Sequence, residues 1–386
     1  MVTNKEQNKL NVPHLRFPEF HGEWEKCKLG ELAVKVGSGS TPKGGNAVYT
    51  TSGHCFVRSQ NVGMGHLILN DIAYIDESTH QKQKSTELRT NDVLLNITGA
   101  SIGRTALATE EINGGNVNQH VCIIRTNGNV EPSYICDYIQ TSKIQKYIQS
   151  LQTGGSREGL NFEQIRSFPI NIPTVEEQVK IAKLLSLINE RIATQSKLIE
   201  KLESLIKGLR VSLMQIENGN IVHLGEIAQI YQPQTISSTE LTEDGFLVYG
   251  ANGIIGKYKQ YNHKTEQICI TCRGNTCGMV NYTKPKSWIT GNAMVINTDE
   301  HQNKVCKRYL YHYLSAYNFN SIISGSGQPQ IVRTPLEQLK VPLPTFLEQK
   351  QKATFLDKIQ GKIEISNKTF NLYLQQKQYL LRQMFI

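Results

Sequence analysis

The stretch Thr174–Ile216, TVEEQVKIAKLLSLINERIATQSKLIEKLESLIKGLRVSLMQI, decides how the rest of the chain is read. Its apolar residues fall at Leu185, Ile188, Ile192, Ile199, Leu202, Ile206, Leu209 and Leu213. Gln195 alone interrupts the alternating three-four spacing, which is the pattern of a heptad seam rather than of one buried helix face. A seam requires a partner helix. The start is also marked: Pro173 ends an extended segment, Thr174 can cap, and Glu177 follows three residues on, as a capping box requires.

The partner lies in the same chain. Moving on 171 residues gives Thr345–Met384, where the same positions are held by Leu356, Ile359, Ile363, Ser366, Phe370, Tyr373, Lys377, Leu380 and Met384. Leu343-Pro344-Thr345 repeats Ile172-Pro173-Thr174, and Glu348-Gln349 repeats Glu177-Gln178. Even the polar break recurs, with Ser366 for Gln195. The repetition reaches further: Leu29–Ala33 reads LGELA and Leu224–Ala228 reads LGEIA. The chain is therefore an internal duplication, each half a globular region followed by a long helix. The expected segments are 1–173 and 218–341 for the globular regions, with 174–217 and 342–386 for the helices.

Each globular region reads as a mixed α/β domain. In the first, Val93–Ile97 and Val121–Ile124 are short apolar runs suited to buried strands, with glycine turns at Gly44-Gly45, Gly99 and Gly114-Gly115. Ser133–Leu151 reads as a helix packed on the sheet. The second region repeats the order with Ile268–Ile270, Ala293–Ile296 and a helix over Lys307–Ile323. Ahead of the first region, Leu15–Phe20 and Trp24 form an arm with aromatic anchors. The second half has no counterpart to it before LGEIA.

A length of 386 residues suits two or more domains. The net charge of +9 fits an anionic partner without identifying it. The charge is spread over the four segments as +1, +1, +3 and +4, with no basic tail, so any contact with an anionic partner such as DNA must be made by folded surface. Scattered cysteines, with neither a signal-like segment nor an apolar run of about twenty residues, lead to the expectation of a reduced, soluble, cytoplasmic protein with no membrane segment. Cys269, Cys272 and Cys277 cluster, and with Cys306 could be drawn as a zinc site. The spacing lacks paired CxxC knuckles, and the residues read better as small packing groups in and beside a strand.

No catalytic motif stands out: there is no GxGxxG, GxxxxGK[ST], HExxH or GxSxG. What the loops carry instead is side chains able to meet base edges and phosphates. In the first half these are Thr41, Lys43, Arg58, Gln60, Asn61, Arg104, Asn118, Gln119, His120 and Arg157. In the second they are Asn252, Lys257, Tyr258, Arg273, Asn275, Asn292, Gln328, Gln330 and Arg333. Arginine and lysine pair with guanine, asparagine and glutamine with adenine. Singly, each reads more readily as a solvated turn or a backbone cap; it is the group that points to DNA. The two halves share a frame but differ in these loops, Thr98–Arg104 (TGASIGR) against Thr271–Gly278 (TCRGNTCG), as expected if each half meets a different target.

With both halves laid out, the sequence resembles the specificity subunit of a type I restriction-modification enzyme over nearly its whole length. The resemblance is carried by Leu15–Trp24 (LRFPEFHGEW), TGASIGR, Thr153–Pro173 (TGGSREGLNFEQIRSFPINIP) with Glu177-Gln178, and Gly325–Pro344 (GSGQPQIVRTPLEQLKVPLP) with Glu348-Gln349. It implies two target-recognition domains and two conserved helices packed as an antiparallel coiled coil with pseudo-twofold symmetry. It further implies no catalysis and no bound cofactor in this chain. Double-stranded DNA is the implied target, to which this chain directs two modification subunits that bring S-adenosylmethionine and methylate adenine, and through them restriction subunits that use ATP and magnesium. Helices of about 40 residues run roughly 60 Å, so the recognition domains are expected at opposite ends, reading a split, asymmetric site with a fixed gap. Leu198, Leu205 and Tyr379 on the seam flanks either hold the modification subunits or widen the intramolecular core. The competing readings are a stand-alone methyltransferase, opposed by the missing cofactor loop, and a protein scaffold, whose binding would lack steep salt dependence.

Overall fold

The computed structural model describes residues 10–152, 159–215, 220–251, 253–325 and 327–386. The chain forms two compact units, the first built from the described residues up to Gln195 together with Thr369–Ile386, the second from Ser196–Lys368. Both boundaries fall inside the long helices. Among the described residues, no helix is long and apolar enough to cross a membrane.

The first unit opens with the arm and then runs through β1 (Glu25–Lys28), β2 (Ala33–Ser38), β3 (His54–Val57), β4 (Ala73–Ile75), β5 (Val93–Asn96), β6 (Thr105–Leu107), β7 (Asn116–Val117), β8 (Val121–Thr126) and β9 (Pro169–Ile172). A four-stranded sheet has the order β2-β8-β5-β6, and a three-stranded sheet the order β4-β3-β7. In β5 and β8 the side chains alternate between two cores. Val93, Leu95, Cys122 and Ile124 face the helices α1 (Pro132–Gln140) and α2 (Ser142–Ser150), while Leu94, Val121 and Ile123 face the side of the second sheet. Burial on both faces explains why these strands are continuous apolar runs instead of alternating ones. The single helix expected over Ser133–Leu151 is broken at Thr141, whose extended backbone (ψ 147°) lets its hydroxyl accept from Ile144 N at 3.5 Å and start α2.

The second unit repeats this topology strand for strand. It contains β10 (Asn220–His223), β11 (Gln229–Tyr231), β12 (Phe246–Gly250), β13 (Gly253–Tyr258), β14 (Ile268–Thr271), β15 (Val280–Tyr282), β16 (Trp288–Ile289), β17 (Ala293–Asn297) and β18 (Lys340–Leu343). The sheets are ordered β11-β17-β14-β15 and β13-β12-β16, and β10 pairs β18 antiparallel as β1 pairs β9. The helix expected over Lys307–Ile323 ends earlier. α4 spans Lys307–Ala316, and Asn318 then caps a 3-10 turn over Phe319–Ser321 by accepting from Asn320 N at 3.0 Å. Cys269 and Cys272 are fully buried in this unit, and Cys306 stands at the start of α4.

The two long helices take their expected form. α3 spans Val175–Met214 (40 residues), and α5 spans Phe346–Gln383 (38 residues). In the first unit, Leu185, Ile188 and Ile192 from the start of α3 join Leu380 from the end of α5 and Met384 just after it in one core. In the second, Leu202, Ile206, Leu209 and Leu213 join Leu356, Ile359 and Ile363. Start against end in both units makes the pair antiparallel. Ile199, Phe370 and Tyr373 are half-buried, while Ser366 and Lys377 are buried seam positions. Leu198 (43 % exposed), Leu205 (50 %) and Tyr379 (50 %) lie outside the core, which disfavours the reading that they widen it.

The glutamine of each Glu-Gln pair ties a long helix to the globular domain before it. Gln178 donates to Pro173 O at 2.9 Å and accepts from Glu131 N, ahead of α1, at 2.9 Å. Gln349 donates to Pro344 O at 2.9 Å and accepts from Cys306 N, ahead of α4, at 2.8 Å. The glutamates diverge. Glu348 closes the capping box on Thr345 N at 2.9 Å. Glu177 instead takes a bidentate pair from Arg16 of the arm at 2.8 and 2.7 Å, with its side chain fully buried. The Arg16→Ala substitution leaves that carboxylate buried and unpaired, so it is expected to cost about 3 kcal/mol in denaturant unfolding. Glu348→Ala, which removes one half of an exposed cap, is expected to cost clearly less than Arg16→Ala. Equal effects of the two would contradict this account of the arm.

Candidate nucleic-acid interface

Strand register brings most of the first set of candidate residues to one end of the first unit. Ser38 at the end of β2 pairs Cys122, Asn96 at the end of β5 pairs Val121, and Leu95 pairs Thr105 at the start of β6. Val57 at the end of β3 runs parallel to Val117. The loops leaving these termini carry Thr41 and Lys43, Arg58 to Asn61, Arg104, and Asn118 to His120. Binding sites collect on such loops because the sheet holds their bases while their tips stay free to vary.

Within this rim, one row of polar groups is linked. Thr41 Oγ1 bonds Gln119 Oε1, Gln119 Nε2 lies 3.2 Å from His120 Nε2, and His120 Nδ1 lies 2.5 Å from Thr98 Oγ1. Asn118 Oδ1 accepts from His120 N at 3.1 Å and closes the turn. Gln119 remains exposed, and its side chain is oriented by both neighbours. Thr98 belongs to this row although sequence reasoning did not select it; its signal was the turn it opens after β5.

A second group gathers on Asp71. Arg58 Nη2 donates to Asp71 O at 2.7 Å and Oδ2 at 3.2 Å, and Gln60 Nε2 donates to Oδ2 at 2.7 Å. Asn61 is buried, and its amide is spent internally: Oδ1 accepts from Arg58 N, and Nδ2 donates to Ile68 O and Asp71 O. It shapes the loop and does not face outward. Lys43 and Arg104 are exposed and take no side-chain hydrogen bond or ion pair among the described residues. Arg157 lies outside those residues.

The second unit divides its candidates differently. Arg273 and Asn275 sit in the β14–β15 turn and Asn292 just before β17, at the end of the sheet where Thr271 pairs Ala293. Arg273 forms an isolated bridge with Gln330, and these two line a cleft of about 350 Å³ with Tyr231, Gln232, Met294, Ile331, Val332 and Arg333. Gln232 was not selected from sequence. It follows β11 as Gln119's partner loop follows β2, and its amide donates to Cys272 Sγ at 3.1 Å and Gly291 O at 3.2 Å. Arg333 pairs Glu337 at 2.6 Å on an exposed helical turn, and Gln328 is exposed nearby. Lys257 and Tyr258 are not brought to this end. They pair Leu247 and Phe246 at the start of β12, where Lys257 lies 3.6 Å from Asp244 and Tyr258 packs on Trp288 at 5.1 Å. Asn252 lies outside the described residues.

The rim and the cleft each offer amide and guanidinium groups on a rigid base, the donor and acceptor set suited to base edges and phosphates. A family model described as "Type I restriction modification DNA specificity domain" matches the chain twice, over residues 21–204 and 217–372. The type I restriction enzyme MjaVIII specificity subunit of Methanocaldococcus jannaschii is 23 % identical over 94 % of this chain and 92 % of its own length. The type I restriction enzyme EcoprrI specificity subunit of Escherichia coli is 32 % identical over 35 % of this chain and 34 % of its own. Among solved structures, the crystal structure of a type I restriction-modification system S subunit from M. genitalium superposes with a TM-score of 0.69, at 17 % identity, over 97 % of this chain and 99 % of that one.

Non-specific duplex binding separates the rim from the rest of the surface. Lys43→Ala and Arg104→Ala are each expected to reduce the slope of log K against log salt by about 1. Lys257→Ala, which removes a paired lysine at the far end of its sheet, is expected to leave the slope unchanged. Equal slopes for all three would count against the rim.

Proposed function

This chain belongs to the type I restriction modification DNA specificity family, and from that membership we propose how its two halves read a target. As a member it is the DNA-recognition subunit of a type I restriction-modification complex and is not the catalytic part. Each half reads one short half-site, the first through the rim around Thr41, Arg104 and Gln119, the second through the cleft around Arg273 and Gln330. The observation that carries this reading is the repetition of one topology in both units with different side chains on the corresponding loops.

The unread gap between the half-sites is set by α3 and α5. Adenine methylation is performed by two modification subunits carrying S-adenosylmethionine, and restriction by further subunits using ATP and magnesium. The modification subunits dock on the outer faces of the long helices. What supports this is the apolar surface left there, Leu187, Leu205, Ile365, Leu372 and Tyr379 all being about half exposed or more, which is more than a solvated helix face needs.

A genomic methylation map of cells producing this chain with its modification subunit, compared with cells lacking the chain, tests the reading directly. One bipartite adenine-methylated motif is expected, lost with the chain; no such motif would refute it. Inserting one heptad into each long helix is expected to change the gap and leave both half-sites intact. Leu205→Glu with Ile365→Glu is expected to abolish co-purification of the modification subunit while the chain still binds duplex DNA; unchanged co-purification would remove the docking face.

A further inference from the structure

The helices α1 and α4, each called a recognition helix only because it belongs to a recognition domain, occupy equivalent places in their units. Each starts beside a backbone N–H held by the Glu-Gln glutamine, at Glu131 and at Cys306. Each sends a tyrosine to a carbonyl of the last strand, Tyr134 to Asn171 O at 2.7 Å and Tyr309 to Pro342 O at 2.8 Å. Counted from those starts, Asp137 and His312 stand at the same position, and both are buried against the long helices.

Their partners have reversed polarity. In the first unit the acid is on the recognition helix: Gln140 Nε2 donates to Asp137 Oδ1 at 3.1 Å, and Lys377 Nζ of α5 donates to Gln140 Oε1 at 2.8 Å. In the second the acid is on the long helix: Asp357 of α5 lies 2.8 Å from His312 Nε2 and accepts from Arg308 Nε at 2.8 Å. Arg210 of α3 donates to His312 Nδ1 at 3.2 Å and to Gln360 at 3.2 Å. Lys377 and Arg210 both interrupt apolar positions, since the matching residues of the other long helix are Ile206 and Leu381. Each key therefore reaches its recognition helix from the half of the chain that does not contain that helix.

The first key also touches the rim. Gly65 has φ +83°, and a Cβ there would stand 2.5 Å from Gln140 Oε1 and 2.7 Å from Lys377 Nζ, so the loop that follows Arg58, Gln60 and Asn61 turns directly over the lysine head. Burial pushes the Asp137 carboxyl up to about 7, and Lys377 opposes that rise. Placing a lysine in an apolar seam is poor economy for stability, because desolvation consumes most of the attraction; its return is a unique arrangement of the packed parts.

We propose that Lys377, acting through Gln140 and Asp137, is a positioning residue that holds the first recognition domain and its reading loop in one orientation on the helix pair, and that Arg210 serves the second domain in the same way through His312. The proposal rests on the reading of the two units as half-site readers. Neither side chain is exposed, Lys377 being buried and Arg210 half-buried.

The test is the methylation map of cells producing the full chain with its modification subunit, as wild type, Lys377→Met and Arg210→Met. Lys377→Met keeps the length of the side chain and removes its charge, and the buried Asp137 carboxyl, already pushed up to about 7, is then held neutral and not left as an unpaired charge, so the melting temperature should stay within a few degrees of wild type. Its map should show the first half-site relaxed or the single gap replaced by two, with methylation of the original motif reduced about fivefold or more and the second half-site unchanged. Arg210→Met should relax the second half-site alone. Asp137→Asn, isosteric within the key, carries the same prediction as Lys377→Met should that variant fail to fold. An unchanged motif, gap and extent of methylation in Lys377→Met, or equal loss at both half-sites with a fall in melting temperature, overturns the proposal. Absence of a split motif in the wild type overturns the half-site reading instead.

Discussion

The structure depends on a seam that neither half of the chain can bury by itself. α3 presents Leu185, Ile188, Ile206 and Leu209 along one stripe, which is covered by Leu380, Ile363 and Leu356 of α5 and by Met384 just after it. That stripe is closed with the two long helices antiparallel, so the start of each meets the end of the other and the apolar surface leaves water. Both compact units are consequently built from both halves of the sequence. The final residues of the chain belong to the first unit, where Phe385 packs on Tyr134 and Tyr138 and Ile386 O accepts from Tyr138 at 2.8 Å.

Around this seam the recognition domains are fastened by polar contacts placed where apolar packing would leave the angle undetermined. Gln178 and Gln349 pin the first turn of each long helix to the start of a recognition helix, which accounts for the glutamine in both Glu-Gln pairs. The neighbouring glutamates show how duplication diverges. Glu348 serves its own helix as a cap, whereas Glu177 has been drawn to Arg16, and the arm carrying Arg16 packs Phe17 beneath Lys180 at 4.5 Å. One sequence motif thus supports two local structures, according to whether a cation reaches it.

The proposed reading surfaces follow from the sheets. Because β5 and β8 are buried on both faces, their side chains are committed to packing and the surface left for recognition is the set of loops at their ends. Those loops carry the differences between the halves, an exposed Gln119 held between Thr41 and His120 in one and an Arg273–Gln330 cleft in the other. A single scaffold can in this way present two chemistries without disturbing either core.

The duplication, the two long helices and the buried strands were legible in the sequence, since each rests on local periodicity and on residues matched at a fixed offset. Thr174 and Thr345 sit where their helices begin, and the seam positions are buried or half-buried throughout. Tertiary structure decided what spacing could not express. Register took Lys257 and Tyr258 to the far end of β13, away from Arg273, because a hairpin returns its second strand to where the first began. Loop packing consumed Asn61 inside its own turn, and Gln232 and Thr98 gained their places from strands distant in sequence. The role of Lys377 was likewise hidden: in a heptad pattern it is one polar residue among apolar ones, and only the recognition helix folded against it shows why a charge is buried there. Periodicity records which face a residue points to, while the partner it meets there is chosen by chain segments far away.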